Sequence, residues 1–584
     1  MSSSIQTLRR SWRLLAHYLK PHTRLVVLLG ITLAATIAVQ VTTPLLAGRF
    51  INEATSGGAM RDLVNLALLT IALALAGQAL AVAETWLAES VAWDATNTLR
   101  ADLLAHLLRL DAAYHTSHTQ GELIERVDGD VATLARFFSR FVVSIVGNGL
   151  LILGILGLLL AVDWRIGLGL AAFVIVGLVA MLRIRASATH QWSAERQGSA
   201  EFYGFLGEYL SGLEDVRSSG AGPFVLRRCA ETMRTWLAAM RRAQMRGYAL
   251  VATSQGLFGL GTAFAFALCA MLFRDGTLTL GAAYLVIRYT DMLREPTEQI
   301  RNEVQDLQQA DASMGRIEAL LAERPRIADG SGDALPSGPL AAEFESVWFG
   351  YTADVPVLRN VSIHVEPGRV LGVVGRTGSG KTSLTRLIPR FHDPDAGIVR
   401  LGGVDVRAVS VAAVRERIGL VSQEVHLFHA TVRDNVTLFD ESIADARVEA
   451  ALDMMGLATW RQALPNGLDS MLGTGAIGLS AGQAQVLACA RILLRNPDVV
   501  ILDEASSRLD PVTERLVHRA LGRLLEGRTG IIVAHRLATM VLADDIVVLE
   551  DGEVCEYGPR LDLAADPDSR FAQLLRLAAE EVMS

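Results

Sequence analysis

The sequence predicts a chain in two parts: a membrane α-helical bundle of six spans, then an α/β phosphate-loop nucleotide-binding domain. Three observations carry that prediction. Six apolar runs crowd into the first half of the chain. Past residue 341 the composition changes to short β-rich runs with helical stretches between them. And Gly375-Arg376-Thr377-Gly378-Ser379-Gly380-Lys381-Thr382 matches G-x-x-x-x-G-K-[ST] without a gap, between the apolar strand Val370–Val374 and a helical stretch that opens at Ser383.

Composition agrees with this division. Over 584 residues, hydrophobic types reach 51% and charged types only 20%, and the mean hydropathy is +0.33. That balance fits a membrane part joined to a soluble part. A net charge of −8 gives no support to nucleic acid as a partner. Cys229, Cys269, Cys489 and Cys555 are scattered with no C-x-x-C spacing, which suits single thiols in a reducing cytosol rather than a metal site or a disulfide framework. Arg9, Arg10 and Arg13 are not followed by a short apolar run with a small-residue cleavage site, so no secretory signal is expected.

The apolar runs span Leu25–Ala47, Leu63–Leu87, Phe141–Val162, Ile166–Leu182, Tyr248–Phe273 and Leu278–Leu293. Most reach the ~20 residues that cross a bilayer, the fourth and sixth being shorter. Ahead of them, Leu8, Trp12, Leu15 and Leu19 recur at helical spacing among basic residues, the pattern of a helix on the inner membrane face or of a solvated helical cap. Asp163-Trp164-Arg165 and Arg274-Asp275-Gly276-Thr277 are minimal connections, whereas runs two and three, and four and five, are joined by polar yet helically periodic segments of about fifty to sixty-five residues. The N-terminal tail and those long segments hold most of the basic residues of the first half, among them Arg100, Arg126, Arg217, Arg241, Arg242 and Arg246. Positive-inside bias therefore places the N-terminus, both long connections and everything after run six in the cytoplasm. Arg288, roughly 16 Å into run six at ~1.5 Å per residue, and Asp291 one turn on form either a polar element of a substrate path or a self-neutralising pair. Glu84 and Glu89, late in run two near the inner interface, are expected to snorkel or to lie in a cytosolic extension of the helix.

In the second half, glycines let backbone N–H groups converge on phosphates at a helix start, Lys381 is placed to reach the β- and γ-phosphates, and the Thr382 hydroxyl to hold Mg²⁺. Lys381 is one of only two lysines in the chain, with Lys20. Val499–Leu502 is an apolar strand ending in Asp503 and Glu504. Beside a phosphate loop, Asp503 suits Mg²⁺, directly or through water, and Glu504 suits polarisation of a water for in-line attack. Leu479-Ser480-Ala481-Gly482-Gln483 opens a helical stretch and makes a second anion site. One ATP does not need two such sites from one subunit, so this one is read as serving the ATP of another.

With these residues in order, 341–584 resembles the nucleotide-binding domain of ATP-binding cassette (ABC) proteins, and the resemblance implies further roles. Leu479–Gln483 matches the family signature, with Ala481 where glycine is commoner. Gln423 matches the loop glutamine that touches Mg²⁺ and faces the membrane domain. Tyr351 matches the aromatic that stacks on adenine, the alternative being simple packing. Ser507-Arg508-Leu509-Asp510 matches the loop that crosses the dimer interface, and His535 the histidine on the γ-phosphate. Ser383 completes the phosphate-binding set. Two features depart from the pattern. Thr474 stands where the family often has a glutamate, and Arg508 where a small residue is usual; such changes occur in chains that pair with a different partner.

The first half resembles the exporter-type membrane fold of the same family. Gly121–Asp130 and Glu208–Arg217 resemble its two intracellular loops, each ending in a short coupling helix that presses on an ATPase domain. The expected organisation is 1–325 as transmembrane domain with long cytoplasmic coupling loops, 326–340 as a loose linker, and 341–584 as the ATP-binding cassette. The implied protein is a half-transporter, homodimeric or heterodimeric, in a bacterial inner membrane. It uses ATP and Mg²⁺ to export a lipid, drug-like or peptide substrate by alternating access. An importer on the same fold and an ATP-gated regulatory protein are the alternatives; the first lacks an extra substrate-binding domain, and the second would tolerate loss of Glu504.

Overall fold

A computed structural model describes residues 16–332, 335–352, 355–422, 425–473, 478–503, 511–533 and 537–583. The basic N-terminal segment with Leu8, Trp12 and Leu15 therefore lies outside the described residues. The chain divides into two compact units: one runs to Leu108 and resumes over Gln120–Glu323, the other comprises Arg109–Thr119 and Arg324–Ser584.

The first unit is wholly helical. Its principal helices are α1 (Thr23–Thr55), α2 (Met60–Arg109), then, past α3 (Ala112–Ser117) of the second unit, α4 (Asp130–Arg140), α5 (Asn148–Val162), α6 (Trp164–Ser211), α7 (Leu213–Ser218), α8 (Gly222–Arg274), α9 (Leu280–Met292) and α10 (Arg294–Ala322). Every apolar run lies on a helix; the third begins in the π-helical segment Phe141–Gly147 before α5. Among the described residues, four helices are long and apolar enough to cross a membrane: Ala16–Thr55, Met60–Arg109, Ser144–Val162 and Gly222–Arg274. The fourth run gives the shorter apolar stretch Trp164–Ala180, and the sixth sits on α9, 13 residues long. The polar connections prove to be continuations of the spans, so that α2, α6 and α8 reach 50, 48 and 53 residues.

Local chemistry sets the helix ends. Asp163 caps α6, its carboxylate accepting from Arg165 N at 2.8 Å, and Thr279 caps α9 by accepting from Ala282 N. Gly276, at φ +70°, stops α8 where an L side chain would be strained. Antiparallel α1 and α9 touch backbone to backbone: a Cβ on Gly281 would lie 2.1 Å from Gly48 O. Gly281 N–H donates to Asn52 Oδ1 at 2.8 Å, and the buried Tyr289 hydroxyl to Val41 O at 2.7 Å. Leu151, Ile155, Leu159, Ile166, Leu170 and Val286 pack the interior. Leu68, Ile71, Leu75, Leu153, Ile175 and Phe266 point outward, as lipid-facing side chains should.

The second unit holds two sheets. One is antiparallel, in the order β2 (Leu358–Val365), β1 (Ala342–Phe349), β4 (Ala396–Leu401), β5 (Val404–Asp405). The other has six strands, ordered β10 (Glu553–Pro559), β9 (Asp545–Glu550), β3 (Val370–Val374), β8 (Thr529–Val533), β7 (Val499–Asp503), β6 (Ile418–Val421). It is parallel except at β10. Both faces of β3 are covered: Val370 and Val374 enter one core, Leu371 and Val373 the other. That two-sided burial explains an unbroken apolar run. The β-rich runs Ala342–Trp348 and Val361–Val365 are the strands β1 and β2, whereas β4, β5, β10 and the antiparallel pairing are not apparent in the sequence.

The stretch expected to be a loose linker is pinned over 328–332. Arg390 Nη2 donates to Ala328 O at 3.0 Å, Asp329 Oδ1 accepts from Val411 N at 2.7 Å, and Gly332 N donates to Ala408 O at 2.9 Å.

Candidate nucleotide site

Parallel strands bring their carboxyl ends to one edge, and that edge is where ligands bind open α/β sheets. β3 ends there at Val374, β6 at Val421, β7 at Asp503 and β8 at Val533. The phosphate loop leaves β3 and opens into the helix α11 (Lys381–Leu387). Its glycines are required: Gly375, Gly378 and Gly380 have φ +152°, +86° and +99°. A Cβ at Gly375 would meet Leu549 O at 2.2 Å.

Inside this loop Lys381 is 6% exposed, its ammonium donating to Gly375 O at 2.8 Å and Arg376 O at 2.9 Å. Ser379 is buried, and among the described residues its hydroxyl has no hydrogen-bond partner. An orphaned hydroxyl beside a buried cation fits a site built for an anionic oxygen. Thr382 Oγ1 and Asp503 Oδ1 stand 3.4 Å apart. Two neighbouring ligands of an octahedral Mg²⁺ at 2.0–2.1 Å stand about 2.9 Å apart, so this oxygen pair fits Mg²⁺ with a small adjustment.

Tyr351 is half-exposed; its hydroxyl lies 3.1 Å from Ser383 Oγ, and its ring meets Phe349 and His392 edge-on. His392 is a neighbour that sequence patterns do not signal. Burial, and then Arg386, push its pKa below the usual histidine value, with Asp111 opposing.

Ser480 caps α12 (Ala481–Arg495) in a reciprocal box: its hydroxyl accepts from Gln483 N at 3.2 Å, and Gln483 Oε1 accepts from Ser480 N at 3.0 Å. Ser480 and Ala481 are exposed, Leu479 is half-buried and Gly482 is buried. Among the described residues no hydrogen bond joins this turn to the phosphate loop. Gln423, Thr474, Glu504, Ser507, Arg508, Asp510 and His535 lie outside the described residues.

In the first unit, Arg288 Nη1 donates to Asp291 Oδ2 at 2.8 Å, and the pair lines a cavity of about 640 Å³. Glu84 does not snorkel. It is 6% exposed and lines the same cavity, whereas Glu89 is exposed.

Comparison with known proteins agrees with both units. Residues 26–296 match the family described as "ABC transporter transmembrane region", and residues 358–507 the one described as "ABC transporter". The chain is 32% identical over 468 residues to an ATP-dependent lipid A-core flippase of Chromobacterium violaceum, covering 79% of each protein. It is 34% identical to a multidrug efflux ATP-binding/permease protein of Mycobacterium bovis, over 80% of this chain and 39% of that one. It is 33% identical to a cyclolysin secretion/processing ATP-binding protein of Bordetella pertussis, over 83% and 68% respectively. The solved structure of a bacterial Atm1-family ABC exporter with ATP bound superposes with a TM-score of 0.79 at 26% identity, over 95% of this chain and 98% of that one. The chain thus belongs to the ABC transporter family, as an exporter-type membrane protein whose ATPase is coupled to transport.

Proposed function

We propose that the protein works as a dimer of half-transporters, with each of two ATP molecules held between the phosphate loop of one subunit and Ser480–Gln483 of the other. The observation that carries this reading is the N-terminus of α12. Its cap is exposed, is satisfied from within its own turn, and makes no hydrogen bond to the phosphate loop of its own chain. The N–H group of Ala481, at the exposed start of the helix, is then available to an anion brought by a second chain.

In that site Gly375–Ser383 cradle the phosphates. Lys381 turns its ammonium from the two loop carbonyls toward the β- and γ-phosphates, and Tyr351 offers its open face to adenine. Thr382 and Asp503, with Gln423, would hold Mg²⁺, which would supply positive charge beside the transferred phosphoryl group. Glu504, the residue after Asp503, polarises the attacking water, and His535 contacts the γ-phosphate. Ser507 and Asp510 face the other subunit. Residues 1–325 form the membrane domain, and 341–584 the cassette.

The closed dimer binds ATP better than the open one, and that difference shifts the population toward closure. The short helices α3 and α7 are the coupling elements. The cavity with Arg288 and Asp291 is the substrate path, and the cargo is a lipid, drug-like molecule or peptide moved outward. The arginine-rich connections support a cytoplasmic placement of both loops and the cassette, in a bacterial inner membrane.

Mixing two inactive variants tests the shared site. Lys381→Met and Ser480→Arg should each abolish ATP hydrolysis alone. Co-assembled, they should regain partial activity, because one of the two composite sites is then intact. Activity in either variant alone, or none in a verified mixed dimer, would refute the arrangement.

A further inference from the structure

The cavity between α1, α2, α5, α9 and α10 is unevenly charged. Six ionisable side chains line it among the described residues: Glu84, Arg288, Asp291, Arg294, Glu295 and Glu298. Both arginines are committed, Arg288 to Asp291 at 2.8 Å and Arg294 to Glu298 at 3.6 Å. Glu295 accepts from Gln299 Nε2 at 3.1 Å. Two carboxylates, Glu84 and Glu295, have no cation within ion-pair distance among the described residues.

Glu84 is the informative one. It is 6% exposed. Its polar neighbour is the hydroxyl of Thr36, and that hydroxyl already donates to Thr32 O at 2.9 Å. Thr36 lies 13 positions into α1 (Thr23–Thr55), about 20 Å along the helix, so this acid packs against the interior of α1 rather than its end. A buried carboxylate without a counter-charge is costly, and an apolar residue of similar size would pack there at no such cost. Leu33, Ile37 and Leu151 line the same space and supply apolar surface beside the acid.

We propose that the molecule carried through this cavity is an amphipathic organic cation, its positive group paired with Glu84 and its apolar body against Leu33, Ile37 and Leu151. Glu84 sets the charge specificity of the site. The committed arginines offer nothing comparable to an anion. The inference rests on the transport reading above and narrows its substrate class.

The test compares two ions of the same shape and opposite charge, tetraphenylphosphonium and tetraphenylborate, on the ATPase activity of the full-length protein in nanodiscs. The phosphonium should stimulate hydrolysis, and the borate should not. Glu84→Gln, which keeps the shape and removes the charge, should raise the half-maximal phosphonium concentration at least tenfold, and Glu84→Asp should largely restore it. Equal stimulation by both ions, stimulation by the borate alone, or silence to both would overturn the assignment. So would a phosphonium response that survives Glu84→Gln. Should Glu84→Gln fail to fold, the two-ion comparison on the wild-type protein decides alone. A wild-type protein that hydrolyses no ATP would instead contradict the transport reading.

Discussion

Removing one oxygen from the phosphate loop should move two measurements in opposite directions. Ser379 is 4% exposed, and among the described residues its hydroxyl lacks a partner. A buried polar group left unsatisfied costs about 1–3 kcal/mol, so Ser379→Ala should stabilise the nucleotide-free protein by roughly 1 kcal/mol, the low end, since a small void replaces the oxygen. For a unit of this size that is a rise of about 2–4 °C in the unfolding temperature of the nucleotide-binding unit. With ATP bound, the sign reverses. A hydrogen bond to a charged acceptor contributes about 1.5–3 kcal/mol, so its loss should weaken ATP binding roughly 10- to 150-fold. Thermal unfolding of the full-length protein without nucleotide, and titration with ATP under non-hydrolysing conditions, read the two effects separately. A lower unfolding temperature in the variant would mean that the hydroxyl is already satisfied. Unchanged ATP affinity would mean that it does not face the phosphates. Either result would refute the reasoning.

Asp503→Asn should lower steady-state phosphate release on the order of 10²–10³-fold, and chelation of Mg²⁺ should abolish wild-type turnover; activity within threefold of wild type would rule out Asp503 as a metal ligand. His392 has its pKa depressed chiefly by burial, so the unfolded chain binds its proton more readily than the folded one does. Its stabilising contribution is therefore complete above the unfolded value near 6.5 and is lost as pH falls through the lower folded value; His392→Gln should flatten the fall in unfolding temperature on the acid side of pH 6.5. Asp130, with a side chain 2% exposed, is bound by Arg316 through Nε at 2.9 Å and through Nη2. Breaking a buried pair costs about 3–5 kcal/mol, and the half-exposed arginine reduces this, so Asp130→Asn should destabilise by about 1–3 kcal/mol. A double-mutant cycle with Arg316→Met should show coupling above 0.5 kcal/mol.

What the sequence discloses follows from how local the physics is. The phosphate loop is legible because one short stretch must supply positive-φ glycines, a lysine and a hydroxyl in fixed order, and the structure gives Gly375, Gly378 and Gly380 those angles. β3 and β8 are legible because burial on both faces leaves no polar alternation. β10, Glu553–Pro559, is an edge strand that alternates half-buried and exposed residues, too few of them apolar to stand out. His392 reaches Tyr351 only through the tertiary fold. The burial of Glu84 is likewise set by tertiary packing: position along an apolar run does not show that its side chain faces a cavity lined by α1 and α10.

The long helices α2 and α10 are also tied to each other near their ends. The chain crosses between the two units near Leu108–Arg109, near Thr119–Gln120 and near Glu323–Arg324. The first and last crossings lie at the ends of α2 and α10, two uninterrupted helices. Those helices are tied together before the crossing, where His106 Nε2 meets Leu320 O at 2.9 Å, and the strands that follow are tied after it, where Arg326 N–H donates to Asp111. Arg390 then holds Ala328 O through Nη2 at 3.0 Å and is itself fixed by Val409 O and Asp393. Within the helical unit, Glu84 on α2 and Arg294, Glu295 and Glu298 on α10 line one cavity, so the two tied helices present both sets of charges to the same space.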